Sequence, residues 1–531
     1  MKHRYQHQHL KFVWILLAIM LGFSACRKAD ELPIDPYAGG KQALGIKFNL
    51  VAPKADGNQL TYKVTGLLPY KDRVKFYINE VEAIINTITE TEVTVTLPDN
   101  VSSGGSNLIV DGQIFFGPSV NIKGKTELDG SFNAYGSNGS INQIYPLQNG
   151  NLMLVGSFTD YASNASTKQP VNRLVLISPN GGYLNTLAAK KGANGPLTSI
   201  LQLPNGQFII GGNFSSFNER KSINSLTRLH TNGSLDTAIV ELVNTTPLIP
   251  ANSYDTVANF NGGVTGTVSK VYLFNNKLIL QGRFSNYAEY FYERSTRDRK
   301  VVGYTKINNL LRLELNGKMD STYNFDNVTG TAIDAGNGEV TASVMQSDGK
   351  LILVGSFTKY QNKTANRIVR IDNDGLVDQS FTAAANASIS SIRYSTYNGK
   401  YMLAGTFSDF NGTAVNGVVR MNADGSLDPS FNALKFDGGS PAFAAQLSNG
   451  KIIVSGTFKK YNGIVRQGFM VLNADGSLAD GYNNTGKFQG TIADIYEKNN
   501  IQGYPTVILA GNISMFDAKS VNNIVRFILK P

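Results

Sequence analysis

The amino-acid sequence predicts an all-β protein whose larger part is a seven-bladed β-propeller. A strand-like segment that ends in Gly-x-Phe, with an aromatic residue three positions further on, recurs about every 50 residues. Repeats of that length in one chain are typical of stacked supersecondary modules. The motif begins at Gly156, Gly212, Gly282, Gly355, Gly405, Gly456 and, with Ile513 in place of the phenylalanine, Gly511.

Each repeat contains two predicted β-hairpins. In the fourth repeat, apolar segments flank the turns Ser347–Gly349 and Asn373–Gly375. Asp-Gly between apolar segments favours a tight hairpin turn, because the central residues need positive φ. Two hairpins give four antiparallel strands, which is the composition of a propeller blade.

The ends of the chain predict how the ring closes. The fourth strand of a repeat carries Asp-x-x-aromatic, as in Asp378–Phe381, but the last repeat ends without such a strand. An additional copy, Leu128–Phe132, precedes the first repeat. We therefore expect a strand near residues 127–133 to complete the last blade, since closure removes the open sheet edges that promote aggregation. This count favours seven blades over six or eight.

The repeats resemble a known family. Segments such as Gly425–Phe431 and Asn449–Phe458 resemble the delta-60 repeat family of bacterial β-propellers, and the resemblance covers about residues 127–531. The last repeat departs most, with Ile513 and the insertion-like Asn500–Pro505. The resemblance implies the fold and transfers no catalytic residues. The propeller domain is predicted to span residues 121–531.

A smaller β-sandwich is predicted over residues 44–120. Its predicted strands, Val74–Ile78 and Ile88–Pro98, alternate apolar and polar residues, which is typical of a half-buried sheet. Together with Val64-Thr65-Gly66 and Gly104-Gly105, they resemble the immunoglobulin-like IPT/TIG domain. The resemblance implies a module of the kind that often serves as a spacer on bacterial surface proteins.

The first residues predict that the protein is located in the cell envelope. Basic residues precede the apolar segment Phe12–Phe23, which indicates that residues 1–25 are a secretory signal peptide. Phe23–Cys26 resembles a bacterial lipobox, which implies lipidation of Cys26; the alternative is cleavage near Ala25 with a free cysteine. Residues 26–43 are predicted to be a flexible tether. The domain order is similar to that of Bacteroidetes lipoproteins, which implies a lipid-anchored, surface-exposed outer-membrane protein.

The composition excludes several kinds of chemistry. The chain has four histidines and one cysteine, and the predicted signal peptide contains three of the histidines. A histidine-based metal site or a catalytic triad would therefore depend on His230 alone. His230 lies where other repeats have Asp372, Asn422 or Glu314, which indicates a solvated strand end. We expect no catalytic residues, no metal and no cofactor.

The charge balance does not favour nucleic acid as a partner. The formal net charge of +10 falls to +7 without the signal-peptide residues Lys2, Arg4 and Lys11. Such a charge is mild for a chain of this length. Arginines recur in one register of the repeats, at Arg228, Arg312, Arg370, Arg420 and Arg526. They either line the central channel as an anion or sugar site or bridge neighbouring blades, and the repetition favours bridging.

The third repeat carries the insertion that we select as the candidate binding site. Residues 290–300 contain three consecutive aromatic residues beside four cations, and the repeat does not require them. Insertions of this kind lie on one face and commonly carry function. The alternative is a loop that only packs on itself. The candidate ligand-binding residues are Tyr290, Phe291, Tyr292, Arg294, Arg297 and Arg299. A second insertion, 244–262, is expected on the same side.

The sequence therefore predicts non-catalytic recognition of a glycan or of an envelope protein through one propeller face. Two alternatives stay open. One is a polysaccharide hydrolase or lyase that uses a pair of carboxylates. The other is a structural scaffold of an outer-membrane complex.

Overall fold

The computed structural model describes residues 44–166, 170–326 and 328–531. This part of the chain is almost entirely β-structure, with short 3-10 turns at Leu68–Tyr70, Pro250–Ser253 and Tyr292–Arg294. None of its helices has the length and apolar character needed to cross a membrane. The predicted signal peptide, the predicted lipidation site Cys26 and the predicted tether lie outside the described residues.

The first eight strands form a sandwich-like, nearly closed sheet, as the sequence predicts. They pair in the order β1-β3-β6-β5-β4-β7-β8, and β2 pairs with β3. Alternate residues of β3 and β6 point into a core that contains the fully buried Tyr62, Phe76 and Val93. The strands are β1 (Lys47–Phe48), β2 (Lys54–Asp56), β3 (Gln59–Thr65), β4 (Val74–Ile78), β5 (Val81–Ile88), β6 (Glu92–Thr96), β7 (Gly104–Val110) and β8 (Gln113–Val120).

One predicted strand of this domain is wrong. The sequence predicts a single strand over Ile88–Pro98, whereas the structure ends β5 at Ile88 and begins β6 at Glu92. The Thr89 hydroxyl accepts the backbone N–H of Glu92 at 3.0 Å, and the Thr89 N–H donates to the Glu92 carbonyl at 2.8 Å. These bonds close a tight turn, so the alternating segment folds back on itself.

Seven blades follow and confirm the predicted propeller. In each blade an inner strand borders the central channel, and a second and a third strand lie progressively outward. The closing strand is β9 (Thr126–Leu128). Blades 1 to 3 and their insertions contain β10 (Ile141–Pro146), β11 (Leu152–Gly156), β12 (Leu174–Ile177), β13 (Leu197–Gln202), β14 (Phe208–Gly212), β15 (Leu226–Leu229), β16 (Thr237–Glu241), β17 (Tyr254–Ala258), β18 (Gly263–Phe274), β19 (Lys277–Tyr290), β20 (Val302–Lys306) and β21 (Leu310–Glu314).

Blades 4 to 7 repeat this plan, with short additional ladders beside the main strands. Their inner strands are β24, β29, β35 and β40. The elements are β22 (Phe325–Asp326), β23 (Thr331–Ala332), β24 (Val340–Met345), β25 (Leu351–Gly355), β26 (Lys359–Tyr360), β27 (Lys363–Thr364), β28 (Ile368–Ile371), β29 (Ile389–Tyr394), β30 (Tyr401–Gly405), β31 (Asp409–Phe410), β32 (Thr413–Ala414), β33 (Val418–Met421), β34 (Phe436–Asp437), β35 (Pro441–Gln446), β36 (Ile452–Gly456), β37 (Lys460–Tyr461), β38 (Ile464–Val465), β39 (Phe469–Leu472), β40 (Gln489–Asn499), β41 (Pro505–Phe516), β42 (Lys519–Ser520) and β43 (Ile524–Leu529).

The ring closes as predicted. The closing strand β9 pairs with the last strand β43 in antiparallel register, with Leu128 opposite Phe527 and Thr126 opposite Leu529. In the described parts of blades 1 to 6, the predicted fourth strand is reduced to a single bridge, such as Ile371 to Val377. In blades 3 to 5 the carboxylate after the bridge accepts the N–H two residues later, as Asp378 accepts the Ser380 N–H at 3.0 Å, and this turn directs the chain away from the sheet.

Packing explains the Gly-x-Phe motif. In blade 4, Phe357 and the following aromatic Tyr360 are both buried between blades. Gly355 cannot carry a side chain, because a Cβ atom there would lie 1.9 Å from the carbonyl oxygen of Glu339. The close approach lies beside a β-bulge in the inner strand, which recurs in all seven blades.

A buried arginine in the third strand joins blade 5 to blade 6. The Nε of Arg420 donates to Asp428 at 2.6 Å, and its Nη1 donates to the Ala474 carbonyl of blade 6 at 2.7 Å. The side chains of Arg420 and Asp428 are only 5% and 4% exposed. Lys400 donates to the same carboxylate, and the guanidinium covers the Phe431 ring. We call this arrangement the inter-blade arginine contact.

The inter-blade arginine contact settles the role of the recurring arginines. Equivalent pairs are Arg228 with Asp236, Arg312 with Asp320, Arg370 with Asp378 and Arg526 with Asp129. Each Nη1 also reaches a backbone carbonyl of the following blade, at 2.5–3.1 Å. The favoured prediction of bridging is confirmed, and the alternative of an arginine ring in the channel is wrong.

Blades 1 and 6 replace the ion pair by apolar residues. In the other five blades the aspartate N–H donates to the carbonyl of its arginine partner. The equivalent bond runs from the Leu184 N–H to the Leu176 carbonyl in blade 1 and from the Ala479 N–H to the Val471 carbonyl in blade 6. Burying a matched apolar pair avoids the cost of removing two charges from water. The propeller therefore uses two solutions at one interface position.

The first testable prediction concerns this exchange. Asp428→Ala should lower the free energy of unfolding by about 3–5 kcal/mol, because Arg420 loses its buried counter-charge. The double variant Arg420→Val with Asp428→Ala, which copies Val471 and Ala479 of blade 6, should recover most of the loss. Urea unfolding curves of the three proteins measure both effects. A double variant no more stable than Asp428→Ala would show that the unpaired charge is not the cause.

Acid should weaken the inter-blade arginine contacts. Burial alone raises the pKa of Asp129, Asp320, Asp378 and Asp428, but hydrogen bonds from neighbouring hydroxyl, amide and cationic groups outweigh it and hold each pKa below the ordinary 3.8. A carboxyl whose pKa is lowered by folding stabilises the fold above the unfolded pKa, and this effect is lost as the pH falls through the folded pKa.

We therefore expect a nearly constant melting temperature from about pH 7 to pH 5 and a steady fall below about pH 4. Circular-dichroism melts across this range measure it. Asp428→Asn, which cannot ionise at this position, should show a shallower acid fall than the native protein. Parallel curves for the two proteins would contradict the assignment to this carboxylate.

Candidate functional site

The two predicted insertions lie together on one face of the ring. We call the face where second and third strands connect the connection face, and the face where inner and second strands connect the hairpin face. The extension of β19 and β20 and the hairpin β16–β17 both project from the connection face beside blade 3. The Val243 N–H donates to the Ser295 carbonyl at 2.8 Å. We call their exposed parts, within 237–262 and 290–304, the insertion surface.

The three predicted aromatic residues are partly buried by the insertion itself. Tyr290 and Tyr292 stack on one another with ring centroids 6.0 Å apart. Phe291 packs over Gly303, where a Cβ atom would lie 2.5 Å from its ring, and Arg294 covers the Phe291 ring at 5.0 Å. Burial raises the pKa of the Tyr290 and Tyr292 phenols, so both are neutral at ordinary pH. The rings therefore stabilise the insertion in addition to any ligand contact.

The predicted arginines have different surroundings. Arg297 Nη1 donates to the carbonyl oxygens of Ala251 and Tyr254, at 2.9 and 3.1 Å, so it holds the second insertion in place. Arg294 lies 3.5 Å from Glu293, and both side chains are about two-thirds exposed. Arg299 is exposed. Arg294 and Arg299 are thus the predicted arginines that a partner reaches most directly.

The insertion surface also exposes apolar side chains that no blade requires. Leu248 is 98% exposed and Ile239 is 75% exposed, with Ile249 and Tyr254 nearby in the same hairpin. Clustered apolar groups of this kind on a soluble surface mark interaction sites.

His230 lies at a solvated strand end, as the sequence predicts. Its side chain is about half exposed, and its Nε2 lies 3.6 Å from Asp236. The described ranges contain no group of three or more histidine, cysteine, aspartate or glutamate residues arranged to hold a metal ion.

A second candidate surface, which the sequence does not reveal, lies on the hairpin face. It is a cavity of about 350 Å³ at the mouth of the central channel, and five blades contribute to it. The lining residues are Lys270, Tyr272, Ser343, Val344, Ile392, Arg393, Tyr394, Thr396, Ala445, Gln446, Leu447, Ile495 and Glu497. We call it the channel mouth. Its size falls within the range of small-molecule sites, about 300–1,000 Å³.

Two tyrosines stand beside the channel mouth. Tyr394 is the last residue of β29 and lines the cavity, and Tyr397 lies in the turn that joins β29 to β30. Each is 51% exposed. Tyr394 packs on the buried Tyr401 with ring centroids 5.3 Å apart. Tyr397 lies against Gly450, where a Cβ atom would be 3.0 Å from its ring. Each ring is thus fixed by a neighbour while much of its surface stays open.

The polar groups of the channel mouth are largely held by one another. Asn398 Nδ2 donates to Gln446 Oε1 at 2.9 Å, and the Tyr272 hydroxyl lies 2.8 Å from the Ser343 hydroxyl. The Ser448 hydroxyl donates to Glu497 at 2.6 Å. Such mutual bonds orient the lining for a ligand before it binds.

The charges of the channel mouth come from three blades. Arg393 Nη1 lies 2.8 Å from the Asp494 carboxylate, which also accepts the Ile144 N–H at 2.9 Å. Lys270 extends from blade 3 into the same space and is partly buried. Its pKa is lowered by burial, raised in part by Asp494 and lowered again by Arg393. The cavity therefore disfavours the charged form of the Lys270 side chain.

Sequence reasoning missed the channel mouth because its residues come from different repeats. One difference between the repeats was present in the sequence, in the length of the turn between the inner and second strands. The bond that closes this turn joins the Ser395 N–H to the Lys400 carbonyl in blade 5, but the Gln346 N–H to the Lys350 carbonyl in blade 4. The hairpin turn of blade 5 is thus one residue longer, and it carries Tyr397. Lys270 could be recognised only from the strand register.

Four segments of the propeller match a known family. The family model described as a domain of unknown function (DUF5122) beta-propeller matches residues 203–238, 346–381, 398–431 and 447–478, which lie in blades 2, 4, 5 and 6. A model described as a domain of unknown function (DUF5008) matches residues 25–118. The resemblance of this N-terminal region to IPT/TIG domains stays a prediction. Comparison with curated proteins finds no significant match.

Several solved structures are similar to parts of the chain at low identity. The WD40 beta propeller domain of Doa1 is 12% identical, with a TM-score of 0.39, over 76% of this chain and 96% of that one. The Cps50 (Swd1) beta-propeller domain of Myceliophteria thermophila is 11% identical, with a TM-score of 0.37, over 76% and 100%. An auxiliary nutrient binding protein from Bacteroides thetaiotaomicron is 10% identical, with a TM-score of 0.30, over 92% and 98%. Likenesses this distant do not determine function. The strand pairing and the four matched segments together make this chain a β-propeller protein.

Proposed function

We propose that the protein is a non-catalytic binding protein of the cell envelope that binds a saccharide at the channel mouth. The observation that carries the proposal is a polar cavity that has the half-exposed Tyr394 in its lining, with the half-exposed Tyr397 in the turn that follows. Aromatic rings offer an apolar surface for the C–H face of a sugar ring. The amides and hydroxyls that line the cavity are suited to sugar hydroxyl groups.

The position of the N-terminal domain on the propeller is compatible with the cellular localisation that we propose. We propose that residues 1–25 direct export, that a lipid on Cys26 anchors the protein in the outer membrane, and that an IPT/TIG-type domain acts as a spacer at the cell surface. This domain contacts the connection face, where Arg466 Nη1 donates to the Asn100 carbonyl at 2.8 Å and Ser103 Oγ donates to Asn484 at 2.8 Å. The channel mouth lies on the opposite face, which supports its access to an external ligand.

A second candidate function is docking of another envelope protein on the insertion surface. The exposure of Leu248 and Ile239 favours a protein partner there, because a saccharide does not require an apolar patch. In this function Tyr290, Phe291, Tyr292, Arg294, Arg297 and Arg299 shape and charge the interface. The protein would then act as part of a larger complex.

Binding at the channel mouth predicts a defined loss on substitution. Tyr394→Ala and Tyr397→Ala should each weaken binding of a glycan identified on a glycan array by roughly twofold to tenfold, because each removes one stacking surface. Isothermal titration calorimetry with the purified full-length protein measures the affinities. Tyr135→Ala is the matched control, since Tyr135 is 76% exposed and lies between β9 and β10, on the connection face.

Unchanged affinity in both channel-mouth variants would move the glycan site elsewhere. An assay for reducing ends on the same glycans separates binding from cleavage. Product release that depends on Asp494 or Glu497 would replace the binding function by the hydrolase or lyase alternative.

Docking on the insertion surface predicts a different result. The double variant Ile239→Thr with Leu248→Ser should release any envelope protein that co-purifies, while glycan affinity and melting temperature stay unchanged. Ile501→Ser is the control, because Ile501 is 99% exposed in blade 7 on the hairpin face. Co-purification is measured from detergent-solubilised membranes. Retention of the same partner by the double variant would contradict docking at this surface.

A further inference from the structure

The seven inner strands can be compared position by position. Each contains a β-bulge at the same place, and the residue directly after the bulge occupies an equivalent position beside the channel. A bulge changes the direction of the following side chain, so these positions are fixed by backbone geometry. The seven residues are Gln143, Ser199, Lys270, Ala342, Ser391, Phe443 and Asp494.

Three of these residues join one blade to the next. Each accepts a backbone N–H from the inner strand of the following blade: Ile144 to Asp494 at 2.9 Å, Ile200 to Gln143 at 3.0 Å and Val271 to Ser199 at 3.1 Å. Within the parts of the chain that the structure describes, the Ser391 hydroxyl of blade 5 has no hydrogen-bond partner, so the position accepts an inter-blade hydrogen bond in blades 7, 1 and 2. It connects inner strands whose channel-facing edges would otherwise be unpaired.

Lys270 cannot perform that role. An ammonium group has three donors and no acceptor, so it cannot receive the N–H of the next blade. Within the described ranges, the Lys270 ammonium group makes no hydrogen bond and no ion pair, although the charges of Asp494 and Arg393 act on it. Blade 3 thus lacks this inter-blade hydrogen bond and places in the channel mouth an amine that has no hydrogen-bond partner among the described residues.

The other charges that line the cavity have partners. Arg393 is paired with Asp494 at 2.8 Å, and Glu497 accepts the N–H and the hydroxyl of Ser448. Burial lowers the pKa of Lys270, which means that the surroundings disfavour the charged form of its ammonium group. An anionic group beside Lys270 would reverse that penalty.

We propose that Lys270 recognises the charge of the ligand, so that the saccharide taken up at the channel mouth is acidic and its anionic group pairs with Lys270. This inference rests on the proposed function and specifies its ligand class. A carboxylate or a sulfate group on the sugar supplies the same charge. The tyrosines hold the sugar ring, and Lys270 selects for the acid.

The test compares matched ligands and matched variants. The ligands are glucuronate-containing oligosaccharides, the same oligosaccharides after reduction of each carboxylate to an alcohol, and the reduced form after sulfation. The proteins are the native chain, Lys270→Gln and the control Lys498→Gln, which removes one positive charge from an exposed site in blade 7. Glutamine is the natural residue at this position in blade 1, so Lys270→Gln should fold with an unchanged or higher melting temperature.

We expect the native chain and Lys498→Gln to bind an acidic form about tenfold or more tightly than the reduced form. Lys270→Gln should bind the acidic and the reduced forms with equal affinity, and this affinity should match that of the native chain for the reduced form. A preference for the carboxylate or the sulfate form identifies the anion. Equal binding of acidic and reduced forms, or a preference that survives in Lys270→Gln, overturns the inference and leaves saccharide binding intact. Binding of none of the forms overturns the inference together with the proposed function.

Discussion

The inter-blade arginine contact joins neighbouring blades at five of the seven junctions of the closed ring. A propeller must join every blade to the next at the same angle, and the guanidinium group does so because it donates to its own blade and to the following one at once. Arg526 extends the contact across the junction of the two chain ends, because its partner Asp129 follows the closing strand β9. Blades 1 and 6 show that an apolar pair fits the same geometry.

The bulge in the inner strand is the second constraint, and it links the core to the channel. It brings the inner strand so close to the second that only glycine fits, which explains the glycine of the Gly-x-Phe motif. The same bulge fixes the side chain that follows it beside the channel. A structural requirement of the blade therefore also determines where a ligand contact can be placed, and Lys270 occupies such a place.

The insertions and the channel mouth divide the recognition surfaces between two faces. On the connection face, Arg297 and Lys300 bind the neighbouring insertion, so part of the predicted charge holds the loop together. On the hairpin face, Tyr394 and Tyr397 keep half of their surface open. A loop must satisfy its own buried polar groups before it can bind a partner, whereas a channel mouth rests on strands that are already paired.

The sequence by itself determined the blade count and the closing strand and favoured bridging as the role of the recurring arginines, because these features follow from the repeats and their hairpin chemistry. It could not show that the predicted fourth strands bend away, since Asp378 acts there through a turn that competes with strand pairing. Only the tertiary structure placed Lys270, Arg393 and Asp494 in one space, because blades 3, 5 and 7 are distant in sequence and meet only when the ring closes. Long-range convergence of this kind leaves no periodic signal in the chain.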